Sequence, residues 1–457
     1  MGSNKFFRIV LITISICSGL VVIIMVLTIA PLNRDPNRTD LLHKMRIGID
    51  SLRGPVVVKN EFAVGFAKVN LTPAKRTATA GYGKRLGKLF TSVHDSIYVR
   101  TLVVGNGINR VAIVSADLLI IPPTVTALLE KELPSIGFTL DNTFLGAIHS
   151  HNSIGNWGKG AMALLFGGYD DAIVRHIADR IKQSIRLAAG NIIPAKIQTG
   201  AIPVSNAVVN RLIDDGPVDS LLRVISITRR DSSKLLLMNF TAHATCLSSG
   251  DLVLSRDYPG KLVDTIEASG FDFAMFMAGP VGSQSAKVRE KGWPCVEEMT
   301  ATLSNTMTND GSTLDLINEG TLWMKRVPFL LAEPQVKVFR NWRIRSWLFN
   351  AAFGDYPEHL TVLRIGHLVM VGAPCDISGE FYQEIDKLAD KHGIQVMISS
   401  FNGAYIGYVT PTKYYDEDHY ETQLMSWYGP GNAEYMLECM ERLIDKAAAT
   451  SDGMPGV

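Results

Sequence analysis

Residues 9–30, IVLITISICSGLVVIIMVLTIA, carry no charged side chain. No other feature constrains the chain as strongly. Backbone amides in hydrocarbon must bond to one another, and a single segment can do that only as a helix. A helix of this length crosses a bilayer core of about 30 Å. Lys5 and Arg8 precede the run, as expected for an N-terminus left in the cytoplasm, while Arg34 and Arg38 just beyond it weaken that bias. A cleaved signal peptide has a shorter apolar region, about 7–15 residues, and no clean small-x-small site precedes Asn33. The reading is an uncleaved signal anchor over residues 1–31. The protein is then a single-pass membrane protein with its remaining domain extracytoplasmic, or a secreted one if the segment is cleaved.

Residues 32–60 are polar, contain Pro-Asn turn signals and carry only a short amphipathic patch around Leu41–Ile49. They are expected to form a stalk. From residue 61 to 457 strand and helix patterns alternate. SIYVRTLVVG and RVAIVSADLL read as strands, PTVTALLEKELPSIG as a helix, and NTFLGAIHSH as a strand again. DDAIVRHIADRIKQSIRLAAG has apolar residues three and four apart and a glycine at its end, the signature of a helix. LLRVISITRR and KLLLMNFTAHA suggest a hairpin, and the rhythm continues to a closing helix in NAEYMLECMERLIDKAAA. The fold class is therefore α/β: one layered domain with a mixed sheet and flanking helices, behind an N-terminal transmembrane helix.

Apolar residues make up 47% of the chain, enough for a packed core, and the formal net charge of +1 gives no support for a nucleic-acid partner. Oligomeric state is not legible. Cys17 lies inside the apolar run, and Cys246, Cys295, Cys375 and Cys439 are far apart without C-x-x-C spacing. This excludes a disulfide scaffold or a zinc finger; one bridge is possible, and free buried thiols are the expectation. Asn37 and Asn239 begin N-x-S/T glycosylation acceptors.

Ligands of α/β sheets sit beyond the carboxyl ends of strands. At those places the chain sets His149-Ser150-His151, Thr241-Ala242-His243, Gly282-Ser283-Gln284-Ser285, Cys375-Asp376 and Tyr408-Val409-Thr410. Side chains two apart on a strand share a face, so His149 and His151 are expected to point the same way. With His243 and Asp376 they form a donor set of the kind zinc takes, in place of ordinary polar packing. Ser285 follows a tight turn but lacks the G-x-S-x-G elbow, which makes a serine-hydrolase signal weak.

Taken together, these segments resemble the neutral/alkaline, non-lysosomal ceramidase family. GFAKVNLTP, AIHSHNS, AHATCLSSGDLVLSRDYPG, GSQSA, APCDISGE and YVTPTKYYDEDHYET follow the order of the family's motifs from about Phe62 to the last helix. The resemblance implies a zinc ion held by His149, His243, Asp376 and Tyr408. It makes His151 the proton-handling residue and aligns Tyr420, Arg211 and Ser285 with residues around the substrate. In an alternative alignment Glu380 supplies the carboxylate in place of Asp376. The implied activity is hydrolysis of the amide bond of an amphiphilic N-acyl lipid such as ceramide, with Zn2+ as the cofactor and the membrane reached through the N-terminal helix. The alternatives are a serine-centred amidase or esterase using Ser285, or a non-catalytic, membrane-tethered binding protein.

The sequence also departs from the family. Ser283 and Ala286 replace the Asp and Pro of G-D-x-S-P, Asp376 stands for Glu, and Ile154-Gly155 replaces Gly-Pro. The match is expected to cover the N-terminal catalytic domain without the β-sandwich domain of larger members.

Overall fold

The computed structural model describes residues 2–36, 38–309, 314–354 and 356–449. Its first helix, Gly2–Thr28, stands clear of the rest, and among the described residues only its stretch Lys5–Thr28 is long and apolar enough to cross a membrane. The helix ends two residues before the uncharged run does. Ile29–Pro31 is instead a strand, paired antiparallel with Trp342–Ile344.

Two sheets build the domain. The larger has nine strands, ordered Phe273–Ala278, Lys234–Phe240, Leu221–Arg229, Ile193–Pro203, Ala63–Asn70, Tyr98–Gly105, Arg110–Ala116 and Thr143–Ala147, with Asp315–Leu316 beside Ile193–Pro203. The smaller has four: Leu322–Pro328, His359–Ile365, Leu368–Gly372 and Gln395–Ser399. Both are mixed; Lys234–Phe240 with Phe273–Ala278, Arg110–Ala116 with Thr143–Ala147, and Leu368–Gly372 with Gln395–Ser399 are the parallel pairs. The expected hairpin forms, with Arg223 opposite Asn239 and Thr228 opposite Lys234.

The side-chain period of two shows how the layers stack. Leu102, Val104, Ile113, Phe144, Leu237 and Met275 face inward against Leu363, Ile365, Met370 and Met397 of the smaller sheet. Their chain neighbours Val103, Ala112, Val114 and Leu145 face outward, under the helices Pro123–Glu132 and Asp171–Ala189. Leu236, Met238, Ala274 and Phe276 likewise face Asp257–Ala268 and Trp293–Asn309. On the far side Val362, Val369, Val371 and Ile398 lie under Tyr382–His392 and Asn432–Ala448. The order is helix, sheet, sheet, helix. With both faces covered, strands such as Lys234–Phe240 and Phe273–Ala278 read as continuous apolar runs instead of alternating ones.

The larger sheet curls until its edge strands meet. Ser115 donates to the carbonyl of Phe276 at 2.5 Å, and a Cβ added to Gly146 would lie 2.1 Å from Met277 Cε. The side chain of the other edge strand thus lies directly against this backbone. Ser400, just after Gln395–Ser399, donates its N–H to Ala278 at 3.0 Å. The carboxyl ends of strands from both sheets thereby converge.

Residues 32–60 depart from the expected free stalk. Arg38–Asp50 is a helix lying along Asn432–Ala448, with Met45 and Ile49 buried. Arg46 pairs with Glu438 and Arg442 with Asp50. The amphipathic patch is thus a docking face. Cysteine usage also differs from the expectation: Cys246 and Cys295 form a disulfide, while Cys375 and Cys439 are free and buried. Of the glycosylation acceptors, Asn37 lies outside the described residues. Asn239 is fully buried, its amide donating to Met277 and Ile398 carbonyls, so it cannot carry a glycan in this fold.

Ile49 is completely buried. Ile49→Ala is expected to lower unfolding stability by about 3 kcal/mol, read from the denaturant midpoint. A free stalk would show no change.

Candidate metal centre

Thr143–Ala147 ends two residues before His149, and the backbone at His149 turns left-handed, with φ of 62°. That conformation is uncommon outside glycine and clusters at functional sites. His149 and His151 do face one point, as expected, but through this turn and not through the pleat of a strand. Phe401 holds the turn by stacking flat on His149, with ring centroids 3.9 Å apart at 4°. Gly81 passes so close that a Cβ on it would lie 2.4 Å from the Cα of His151.

His243 comes from the chain leaving Lys234–Phe240. Asp376 follows Leu368–Gly372 and lies in a two-residue strand directly opposite Tyr408. The three histidine Nε2 atoms form a triangle: His149 to His243 2.9 Å, His151 to His243 3.0 Å, His149 to His151 3.1 Å. Asp376 Oδ1 is 3.5 Å from His149 Nε2.

The tautomers make this triangle informative. His149 Nδ1 lies 2.7 Å from the carbonyl of Leu119, and His243 Nδ1 lies 3.3 Å from that of Val281. A carbonyl only accepts, so in each ring Nδ1 carries the proton and Nε2 presents a lone pair. Two lone pairs 2.9 Å apart repel, and Asp376 Oδ1, buried and without a donor, adds a third acceptor. A cation placed among them turns the repulsion into bonding. Imidazole and carboxylate donors suit zinc, so these residues fit such an ion, while the arrangement alone does not distinguish zinc from other metals.

Burial sets the protonation states. It lowers His149 to about 3 and holds His151 and His243 well below the ordinary histidine range, so all three are neutral and ready to ligate at pH 7. Burial raises Asp376 to about 7, against the hydrogen bond from Tyr405 and the charge of Arg211. Burial also raises the Tyr408 phenol well above its usual value, with Arg211 opposing. Arg211 remains charged: burial works against it, but Tyr408, Glu421 and Asp376 outweigh that cost. It pairs with Glu421 at 3.1 Å and lies 5.3 Å from the centre of the Tyr408 ring.

The histidines, Asp376, Arg211, Tyr408 and Tyr420 form the polar floor and side of a cavity of about 690 Å³. The rest of its lining is largely apolar and includes Leu119, Ile120, Trp157, Met162, Val336, Ile344, Phe353 and Trp427. Such a volume holds an elongated organic ligand. Tyr420 is exposed and meets Tyr408 edge-on, at 6.0 Å between centroids.

Not every candidate reaches the cavity. Ser285 lies in Gln284–Ala286, opposite Val209, and its backbone bridges to His243; it is not among the lining residues. Ser283, at the position of the motif's Asp, is fully buried and bonds through its Oγ to the Ser378 hydroxyl and the Gly379 N–H. Glu380 points elsewhere, bonded to Asn210 and paired with Lys413. Asp376 is therefore the carboxylate beside the histidines.

Four neighbours escaped the sequence reading: Phe401, Tyr405, Glu421 and Tyr82, whose ring lies 4.8 Å from His151. Tyr405 sits three residues before Tyr408 and donates to Asp376 Oδ2 at 2.6 Å. That spacing within an aromatic stretch was the available signal. Phe401 and Tyr82 had none.

Comparison with known proteins agrees with this architecture. A family model described as "Neutral/alkaline non-lysosomal ceramidase, N-terminal" matches residues 62–214. The match includes His149, His151 and Arg211 and stops before His243. The crystal structure of a neutral ceramidase from Pseudomonas aeruginosa superposes with a TM-score of 0.71 at 19% identity, covering 87% of this chain and 77% of that one. A ceramidase complexed with C2 gives 0.70 at 18% identity, covering 86% and 77%. The resemblance to the ceramidase family is borne out, and so is the layered α/β fold.

Tyr405→Phe would leave Asp376 Oδ2 without its donor. Loss of such a supporting hydrogen bond is expected to weaken binding of an added metal ion roughly 10- to 100-fold, measured by competition with a chromophoric chelator. Unchanged affinity would show that Asp376 does not touch the ion.

Proposed function

We propose that this chain is a membrane-anchored, zinc-dependent amidohydrolase that cleaves the amide bond of an N-acyl lipid such as ceramide, giving a fatty acid and an amine. The observation that carries the reading is the triangle of histidine nitrogens beside an undonated carboxylate, set at the floor of a large apolar cavity. The family match over residues 62–214 supports this reaction class, and the shared fold is consistent with it.

His149, His243, Asp376 and Tyr408 would hold the ion. A bound zinc supplies Lewis acidity that polarises a carbonyl and makes water acidic near neutral pH. His151 is the most accessible of the three histidines, and it takes the proton of the attacking water and returns it to the leaving amine. Arg211 keeps its charge beside Tyr408 and, with Tyr420, steadies negative charge developing on the amide oxygen. Ser285 sits behind His243 on the bridged strand, outside the cavity lining, and acts by positioning the backbone that carries His243. The apolar walls take the acyl chain and exclude water.

The N-terminal helix gives the membrane reading. Its position before a domain with a disulfide fits an extracytoplasmic, single-pass topology, since such bonds persist in oxidising compartments.

The test is hydrolysis of a panel of N-acyl lipids by the full-length protein. Activity is expected to vanish with chelator and return with zinc. His151→Ala is expected to lower kcat by roughly 100- to 10,000-fold. Chelator-resistant turnover with covalent labelling of Ser285 would contradict the zinc reading, and absence of turnover with every amide would contradict an enzyme.

A further inference from the structure

The apolar helix is joined to the domain without a flexible linker. After Thr28 the chain enters the strand Ile29–Pro31, which pairs with Trp342–Ile344; that strand in turn pairs with Lys337–Phe339. The last carbonyls of the helix are capped by the domain itself. Arg345 donates from Nε to Val26 at 2.9 Å and from its backbone N–H to Thr28 at 2.8 Å, and the Trp347 indole donates to Leu27 at 2.9 Å. The end of the helix is thus hydrogen-bonded directly to the domain.

The three-stranded ribbon has two working sides. Ile344 and its neighbour Val336 line the cavity that holds the histidines. Toward the helix, Phe339 and Trp342 join Val22, Met25 and Ile29 around an apolar groove of about 360 Å³. Phe339, Trp342 and Trp347 are 59%, 48% and 57% exposed, a large apolar area for a surface meeting only water. Tryptophan at the end of a spanning helix is characteristic of the boundary between acyl chains and headgroups. A helix that ends at Thr28 brings that boundary to this ribbon.

We propose that the ribbon seats the domain on the bilayer, with Phe339, Trp342 and Trp347 in the lipid interface and the cavity mouth held against the leaflet. The occupant of the exposed face is the bilayer that holds the helix, and an amphiphilic substrate enters from lipid instead of crossing water. This inference rests on the membrane-anchored reading above. It goes beyond it by assigning a place of entry.

The test uses the full-length chain in phosphatidylcholine vesicles whose acyl chains carry bromine, a short-range quencher of tryptophan fluorescence. Wild type is expected to be quenched, and Trp342→Phe and Trp347→Phe should each lose part of that quenching. Trp293 and Trp323, outside both the ribbon and the cavity, supply the unquenched reference. Phe339→Asp, at an exposed position, is expected to cut turnover of bilayer-embedded N-acyl lipid by roughly tenfold while leaving a water-soluble short-chain amide unaffected. A chain that enters the vesicles with no quenching lost in either tryptophan variant overturns the seat alone. A chain that does not enter overturns the anchor and the seat together. The quenching result stands whether or not any amide is cleaved.

Discussion

Two imidazole lone pairs face each other at 2.9 Å, with a third ring and a bare carboxylate oxygen beside them. In a dry interior this is a costly arrangement, since buried acceptors without donors lose their hydration and gain nothing. The surrounding structure enforces it. Carbonyls of Leu119 and Val281 fix the tautomers, Phe401 pins His149 in a left-handed turn, and Tyr405 orients Asp376. Supporting partners of this kind orient the ligands of metal sites.

The fold gathers these groups by curling the larger sheet. His149 and His243 leave strands near opposite ends of the order, yet those ends meet through Ser115 and Phe276. The smaller sheet, packed inside the curl, brings Asp376 and Tyr408 from its own strand ends. Each donor therefore sits beside a rigid element, which is what a preformed site needs. The apolar side walls come from segments outside both sheets, including the ribbon that ties the domain to the N-terminal helix.

Much of this was legible in the chain. The uncharged run, the alternation of strands and helices, and polar residues recurring after apolar strands pointed to the architecture and to His149, His151, His243, Asp376 and Tyr408. What stayed hidden depends on contacts between distant segments. The patch at Leu41–Ile49 is too short to reveal that it docks on the last helix, and no spacing relates Cys246 to Cys295. Asp376 and Glu380 were equivalent in sequence and are separated only by the direction the backbone takes after Leu368–Gly372. Ser285 looked exposed to ligand from its turn, whereas strand pairing with Val208–Asn210 sets it behind His243.

The central claim is that His149 and His243, two corners of the histidine triangle, help hold a metal ion, and metal analysis of the purified full-length protein tests it most directly. The account predicts about one zinc per chain, lost in both His149→Ala and His243→Ala while the variants remain folded. Zinc undiminished in both variants, or absent from the wild-type chain after dialysis against zinc, would contradict it.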